Sequence, residues 1–201
     1  MRKRIAGVSF LTLATLLSIP TTTVHHDEIK TVESQQQDIV QTSSESRFNI
    51  PSDQVPISLV DTIDGDTIKV KVNGKRETVR YLLIDTPESK KPDMCVQPYA
   101  KEAYVRNNEL VKSGRLTMEL EQENTRDSYG RLLAYVYEDG KSVQETLLKE
   151  GYARVGYIMN PPYKYLDLYR DDESLARRNK LNIWSRPNYV TRWGFSGCVQ
   201  Y

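Results

Sequence analysis

Histidine is nearly absent from the sequence. The chain has two histidines among its 201 residues, and both, His25 and His26, lie in a polar segment near the N-terminus. Ser-His-Asp hydrolysis, Cys-His hydrolysis and zinc catalysis with histidine ligands all need an imidazole inside the folded domain. The remainder of the sequence supplies none. These enzyme classes are therefore excluded.

Several motifs of other enzyme classes are also missing. There is no G-x-S-x-G element and no C-x-x-C pair, and Tyr135 stands where a P-loop ending in the "DGKS" stretch would need its first glycine. The "DGD" stretch at Asp64 does not follow an EF-hand loop, because Ile68 occupies a position that needs an oxygen ligand. The chemistry must come from other residue types.

The N-terminus has the pattern of an export signal. Three basic residues precede a largely apolar run that ends at Pro20. The run is shorter than the ~20 residues of a membrane-spanning helix, so it favours a cleaved signal peptide over an anchor. We expect a signal peptide over residues 1–24, a disordered polar linker over 25–54 and a folded domain over 55–201. The protein should then be secreted, with partial retention at the membrane or cell wall.

Cysteine is as scarce as histidine. An exported chain whose two cysteines are Cys95 and Cys198 most simply forms one disulfide bond. The predicted domain has 23 Lys and Arg residues against 21 Asp and Glu residues. A broad basic face for nucleic acid is not evident from these totals, so anion binding must depend on a few placed cations.

Periodicity and turn residues predict strands first and helices later. Asn73-Gly74 is a strong hairpin signal, and Asp139-Gly140 predicts another turn. Strands are predicted over residues 57–63, 67–72, 78–84, 116–120 and 132–137, and helices over 98–114, 143–150 and 163–179. Five strands with about three helices indicate an α+β domain built on a small Greek-key barrel of the OB type.

An acid lies on an apolar strand face in the stretch "DGDTIKVKV". Asp66 falls on the same side as Ile68 and Val70 if the stretch is a strand, because side chains alternate between faces. A buried carboxylate without a partner is costly. Two explanations stay open: a cation compensates Asp66, or the strand begins after it and the acid lies in a turn.

Other charged residues interrupt apolar segments. Arg80 lies inside an apolar strand that ends at Asp85, and Arg131 opens the apolar run "LLAYVY". Singly, each has an ordinary explanation as a salt bridge, a surface residue or a turn residue. Together they suit phosphodiester hydrolysis, which needs an activated water and cations around phosphorus.

The roles can be divided among these groups. Asp66, Asp85 and the carbonyl of Thr86 would hold a hard cation that keeps several waters. Glu88 would take a proton from water, and Arg80 and Arg131 would contact the phosphoryl oxygens.

Four segments resemble one known family. "IDGDT", "VRYLLIDTPES", "RDSYGRLLAYVY" and "KLNIWS" are similar, in order, to staphylococcal nuclease, the thermonuclease or micrococcal nuclease family. The resemblance implies an OB barrel with packed helices and calcium-dependent endonuclease action on DNA and RNA. It assigns calcium ligation and catalysis to the residues just named, and substrate contacts to Tyr129 and Tyr157. It implies no stable protein partner, so we expect a monomer.

The sequence departs from the family at two positions and extends beyond it at the C-terminus. Ser128 and Met159 stand where the best-known member has Lys and Tyr, which predicts weaker substrate binding. The C-terminal tail extends past the family pattern, and we expect its Trp193 and Phe195 to pack onto the domain beneath the Cys198 bridge.

Two alternatives to a secreted nuclease stay open. One is a catalytically inactive nucleic-acid-binding module on the same barrel, and the other is a cell-surface structural protein that uses the linker as a stalk.

Overall fold

The computed structural model describes residues 52–90, 95–123, 125–159 and 161–199. The predicted signal peptide, and the predicted linker up to residue 51, lie outside the described residues. Among the described residues, no helix has both the length and the apolar character needed to cross a bilayer.

Five strands form a closed barrel. They are β1 (Gln54–Thr62), β2 (Thr67–Val72), β3 (Lys75–Tyr81), β5 (Leu116–Leu120) and β6 (Leu132–Glu138). Neighbouring strands run antiparallel in the order β3-β2-β1-β5-β6, and a parallel pairing of β3 with β6 closes the sheet. The α+β barrel of OB type predicted from the sequence is confirmed.

Alternating side chains explain why these segments are strands. In β2, Ile68 and Val70 are fully buried, whereas Lys69 and Lys71 face outward. The hairpin between β2 and β3 turns at Asn73 and Gly74, whose φ angles are 49° and 77°. Two consecutive positive φ angles are the requirement of the tight turn that an Asn-Gly pair predicts.

Three α-helices and several very short strands complete the domain. The helices are α1 (Ala100–Lys112), α2 (Val143–Lys149) and α3 (Leu166–Arg178), and a 3₁₀ helix covers Asn182–Ser185. Each α-helix lies inside a predicted range. The short strands are β4 (Ile84–Asp85), β7 (Lys141–Ser142), β8 (Arg154–Val155), β9 (Val190–Thr191) and β10 (Gly194–Phe195). Two residues are too few for a periodic pattern, so the sequence did not predict these strands as separate elements.

Side-chain hydrogen bonds fix two helices on the barrel. The Gln144 amide at the start of α2 is fully buried, donates to the Ala134 carbonyl and accepts from the Val136 amide, both at 3.0 Å. Glu119 in β5 accepts from the Tyr165 hydroxyl, next to the start of α3, at 3.0 Å. Buried polar groups without such partners would be destabilising, so these bonds specify where the helices pack.

The C-terminal tail forms a hairpin of β9 and β10. A disulfide joins Cys198 to Cys95, as the sequence predicted. Phe195 is half-buried, and its ring centroid lies 5.6 Å from that of Tyr189. The prediction for Trp193 was wrong, because its side chain is 85% exposed. Trp193 occupies the turn of the hairpin, between β9 and β10.

Candidate active site

A tight turn carries the first acidic residues of the site. The Asp66 amide donates to Asp64 Oδ1 at 3.1 Å, and the Asp64 carbonyl accepts from Asn107 Nδ2 of α1 at 2.8 Å. Gly65 between them has no room for a side chain, since a Cβ there would lie 2.6 Å from Thr86 Oγ1. Helix α1 and the segment after β4 therefore hold the turn on both sides.

The structure combines the two explanations that the sequence left open for Asp66. Strand β2 begins after it, at Thr67, and the Asp66 carboxylate pairs with a cation. Arg80 Nη2 lies 3.1 Å from Asp66 Oδ2, and the same oxygen accepts from the Thr86 amide at 2.9 Å and the Thr86 hydroxyl at 3.0 Å. The buried carboxylate is thus stabilised by side chains of the barrel itself.

Arg80 is held rigidly between two acids. It is 8% exposed, and its Nη1 donates to the carbonyls of Tyr81 and Ile84, both at 2.9 Å. Its Nη2 lies 3.7 Å from Asp85 Oδ1, and the Tyr157 ring centroid lies 4.9 Å from its Cζ. The guanidinium is a fixed positive charge at the wall of the site.

Asp85 has a second cationic partner that sequence reasoning missed. Strand β4 pairs with β8 so that Asp85 is opposite Arg154, and Arg154 Nε lies 2.9 Å from Asp85 Oδ2. The sequence contains a pattern that could have indicated Arg154 as a site residue. Arg154 interrupts the apolar stretch "YARVGY" much as Arg80 interrupts its own strand.

The negative charge of Asp66 repels the carboxylates of Asp64 and Asp85. Burial, and then the neighbouring Asp66 charge, raise the pKa of Asp64 to about 7 and that of Asp85 to about 6. An added cation would favour their ionised forms.

The donor set fits a hard cation. Carboxylate oxygens of Asp66 and Asp85 are the ligands that such an ion prefers, and Thr86, which follows Asp85 directly, offers a backbone carbonyl. Within the described part of the chain, no group of three or more His, Cys, Asp or Glu side chains forms a metal site. Two carboxylates and one carbonyl are few ligands for a hard cation, so a bound ion would keep several waters.

Arg131 is oriented by a short loop before β6. Its Nε donates to Asp127 Oδ2 at 2.6 Å, and its amide donates to Asp127 Oδ1 at 2.9 Å. Asp127 Oδ1 also accepts from the Tyr129 amide at 3.0 Å, and the Tyr129 ring centroid lies 5.4 Å from Arg131 Cζ. Asp127, which sequence reasoning did not single out, thus fixes both a predicted catalytic residue and a predicted substrate residue.

One open cavity of about 410 Å³ brings four of the eight predicted catalytic, metal-binding and substrate-binding residues together. Arg80, Arg131, Tyr129 and Tyr157 line it, together with the two departures from the family pattern, Ser128 and Met159. Tyr129 is 84% exposed and Tyr157 is 61% exposed, so both rings are available to a ligand.

Glu88 lies on the loop after β4 and is not among the residues that line this cavity. It is half-buried, its amide donates to Gln97 Oε1 at 2.8 Å, and its carbonyl accepts from the Gln97 amide at 3.0 Å. Gln97 is a further residue that sequence reasoning did not single out.

Comparison with known proteins identifies the family. Residues 78–186 match the family described as "Staphylococcal nuclease homologue". The chain belongs to this family. It is therefore an enzyme of the nuclease class, in agreement with the barrel and with the arginine-lined cavity.

Individual proteins named as nucleases match a longer part of the chain than the family description does. The chain is 62% identical over 146 residues to "Endonuclease YncB" of Bacillus subtilis, across 73% of this chain and 69% of the relative. It is 60% identical to "SPbeta prophage-derived endonuclease YokF" of the same organism, across 49% of that protein. A "Thermonuclease" of Staphylococcus hyicus is 39% identical over 127 residues, which are 63% of this chain and 74% of that one.

Proposed function

We propose that this nuclease is a secreted, calcium-dependent endonuclease that hydrolyses phosphodiester bonds of DNA and RNA. One observation carries the proposal: two arginines and two exposed tyrosines line a single cavity, and one of those arginines, Arg80, contacts the acidic pair Asp66 and Asp85. The names of the relatives, which include endonucleases and thermonucleases, support the same reaction.

The cavity suits a dinucleotide unit of a strand. Guanidinium groups bind phosphodiester oxygens as planar donors whose charge does not titrate. Exposed tyrosine rings stack on bases with little dependence on sequence. Arg131 and Tyr129 supply one such pair on the loop held by Asp127, and Arg80 and Tyr157 supply the other.

The two arginines have different tasks in the reaction. Arg80 Nη1 is already bonded to two carbonyls, so Arg80 acts mainly as a fixed charge near the phosphoryl group. The Asp127 bond uses Nε of Arg131, and it orients the two terminal nitrogens as the fork that a phosphate binds. Positive charge that is already in position stabilises the oxygens that gain charge in the transition state.

Asp66, Asp85 and the carbonyl of Thr86 would hold the calcium ion. Bound there, calcium would supply Lewis-acid stabilisation of the phosphoryl oxygens. The raised pKa of Asp85 supports the assignment, because burial and the Asp66 charge disfavour its ionised form despite its contacts with Arg154 and Arg80, and a bound cation would favour that form.

Glu88 would accept the proton of the attacking water. A general base must lie within hydrogen-bond reach of that water. The Glu88 backbone amide and carbonyl both bond to Gln97, and these two hydrogen bonds hold the backbone from which the Glu88 side chain extends. As the water oxygen bonds to phosphorus, its proton passes to the Glu88 carboxylate, the bond from phosphorus to the leaving oxygen breaks, and that oxygen takes up a proton from solvent.

Cleavage assays test the reaction. Single-stranded and double-stranded DNA would be incubated with the mature protein in calcium and in excess chelator, beside Glu88→Gln and Arg131→Ala. We expect calcium-dependent cleavage that falls by roughly a hundredfold or more in both variants. Glu123→Gln and Arg178→Ala, at exposed positions, are the matched controls. Cleavage that ignores chelation and both substitutions would refute the mechanism, and binding without cleavage would favour the inactive-module alternative.

Calcium binding can be measured without activity. A ligand that binds only the folded state stabilises it by about 2.7 kcal/mol at a hundred times its Kd. We expect calcium to raise the melting temperature of the wild type and to leave that of Asp85→Asn unchanged. An equal shift in both proteins would place the ion elsewhere.

Secretion has a separate test. A disulfide between Cys95 and Cys198 supports an oxidising compartment. Culture would be fractionated into medium, wall and membrane; nuclease mainly in the medium is expected, and nuclease confined to wall or membrane would favour a surface protein. The medium fraction should elute as a monomer on size exclusion.

A further inference from the structure

The turn of the C-terminal hairpin presents an exposed tryptophan. Trp193 is 85% exposed, so its indole ring is available to a ligand. The turn itself is well defined: the Thr191 hydroxyl accepts from the Trp193 amide at 3.2 Å and donates to the Gly194 carbonyl at 3.1 Å. The hairpin lies beyond residue 186, where the family match ends.

The hairpin is attached directly to the site. Arg154 contacts Asp85 through Nε at 2.9 Å, and its Nη1 lies 3.5 Å from the Arg192 carbonyl oxygen in the hairpin turn. The Phe195 ring centroid lies 5.8 Å from Arg154 Cζ. A single guanidinium group therefore separates the acidic pair from the backbone that carries Trp193.

The side chains at the turn suit a nucleic-acid strand. Arg192 Cζ lies 4.9 Å from the Trp193 ring centroid, so a cation and an indole are presented together. Single-stranded nucleic acids are bound by such pairs of stacking rings and positive charges. The tip carries one indole, which follows the polar residues Thr191 and Arg192 in the chain, and does not form the contiguous apolar patch that a membrane surface requires.

We propose that Arg192 and Trp193 form an additional binding site for single-stranded DNA or RNA, in which the indole stacks on a base and the guanidinium contacts a phosphate. The strand would run from the arginine-lined cavity past Asp85 to the hairpin. The inference rests on the proposed nuclease function. Because the domain is nearly neutral overall, separate contacts of this kind would supply much of its affinity for long strands.

Fluorescence can test the site without cleavage. The chain has two tryptophans, so Trp184→Phe leaves Trp193 as the only one. In excess chelator, an oligothymidylate of about 15 nucleotides should quench Trp193, since one OB fold binds up to roughly 16 nucleotides. A thymidine dinucleotide is long enough to occupy only the cavity, so it should not quench Trp193. Absence of quenching by the long strand would overturn the proposal.

Variants measure the contribution of the site. We expect Trp193→Ala to weaken binding of the long strand in chelator by roughly tenfold, and to raise KM for that strand in calcium, in line with the cost of losing one stacked base. Trp193→Phe should restore most of the affinity and Trp193→Leu should not. Arg192→Ala should reduce the salt dependence of binding. Leu168→Ala, at an exposed site on α3, is the control.

The outcomes separate this site from the nuclease reaction. If the protein cleaves DNA and Trp193→Ala binds the long strand as tightly as wild type does, the hairpin site is refuted and the nuclease function stands. Binding that depends on Trp193 without any cleavage would support the site and refute the reaction. Trp193→Ala could instead bind the long strand as tightly as wild type does and lose binding to anionic phospholipid vesicles. That result would show that Trp193 contacts a membrane, and it would overturn the proposal.

Discussion

Gln97 joins Glu88 to the C-terminal hairpin. Its Oε1 accepts from the Glu88 amide at 2.8 Å, and its Nε2 donates to the Phe195 carbonyl at 3.1 Å. The side chain is 5% exposed, so both bonds are made away from water, where an unpaired amide is costly. The position of the predicted general base thus depends on residues about a hundred positions later in the chain.

Loss of this bridge should reduce the chemical step. We expect Gln97→Leu to lower kcat for DNA by roughly tenfold with little change in KM, since a small displacement of a catalytic group costs rate before it costs binding. Gln97→Glu keeps the acceptor for Glu88 and loses the donor to Phe195, so it should be intermediate. Gln122→Leu, at an exposed position, is the control. A rise in KM with kcat unchanged would show that Gln97 does not position Glu88.

The disulfide should contribute strongly to stability. Cys95 and Cys198 are 103 residues apart in the chain. In the chain-entropy account, a loop of about 100 residues restricts the unfolded state by up to about 4.7 kcal/mol. Replacing both cysteines by serine should lower the free energy of unfolding by up to that amount in denaturant titrations, and a reductant should have the same effect on the wild type. Identical midpoints for oxidised and reduced protein would contradict this.

Glu173 should make stability depend on pH. Burial raises its pKa above the ordinary value of 4.5, although the charges of Arg154, Arg170 and Arg177 oppose the shift. The folded state then binds the proton more tightly than the unfolded state, so stability from this group is present below pH 4.5 and is lost as pH rises through the higher folded pKa.

Glu173→Gln tests that sign. Glutamine can still accept from the Val155 amide, which now donates to Glu173 Oε1 at 2.7 Å. The variant should be more stable than wild type at neutral pH, and the difference should disappear in acid. Glu123→Gln is the exposed control. A variant that is less stable than wild type at neutral pH would show that the three arginines outweigh burial.

Substrate affinity should increase when the two departures from the family are reversed. Ser128 and Met159 line the cavity beside Tyr129 and Tyr157. Met159→Tyr should lower KM by roughly fivefold, because one base stacked on an aromatic ring is worth about 1 kcal/mol or more. Ser128→Lys should lower KM at low salt and lose this advantage at high salt. Met159→Leu should leave KM near wild type; no gain from either family residue would mean that the cavity does not hold the base and phosphate.

Local sequence patterns predicted most of the fold. The strands β2 and β5 have the predicted bounds, because alternation and turn residues are properties of neighbours in the chain. Strands β4 and β8 were not predicted, since a two-residue pairing has no pattern of its own. The exposure of Trp193 could not be predicted either, because composition does not say which side of a hairpin faces the barrel.

The sequence by itself determined the long strands and the helices, the hairpin turns, the cysteine pair and the residue types of the site. Only the tertiary structure decided how the charges pair. In the register of β2 and β3, Thr67 lies opposite Arg80, and this places the Arg80 guanidinium against Asp66. The contact of Arg154 with Asp85 requires β4 and β8 to meet. Electrostatic interactions depend on distance in space, and barrel closure sets those distances between residues far apart in the chain.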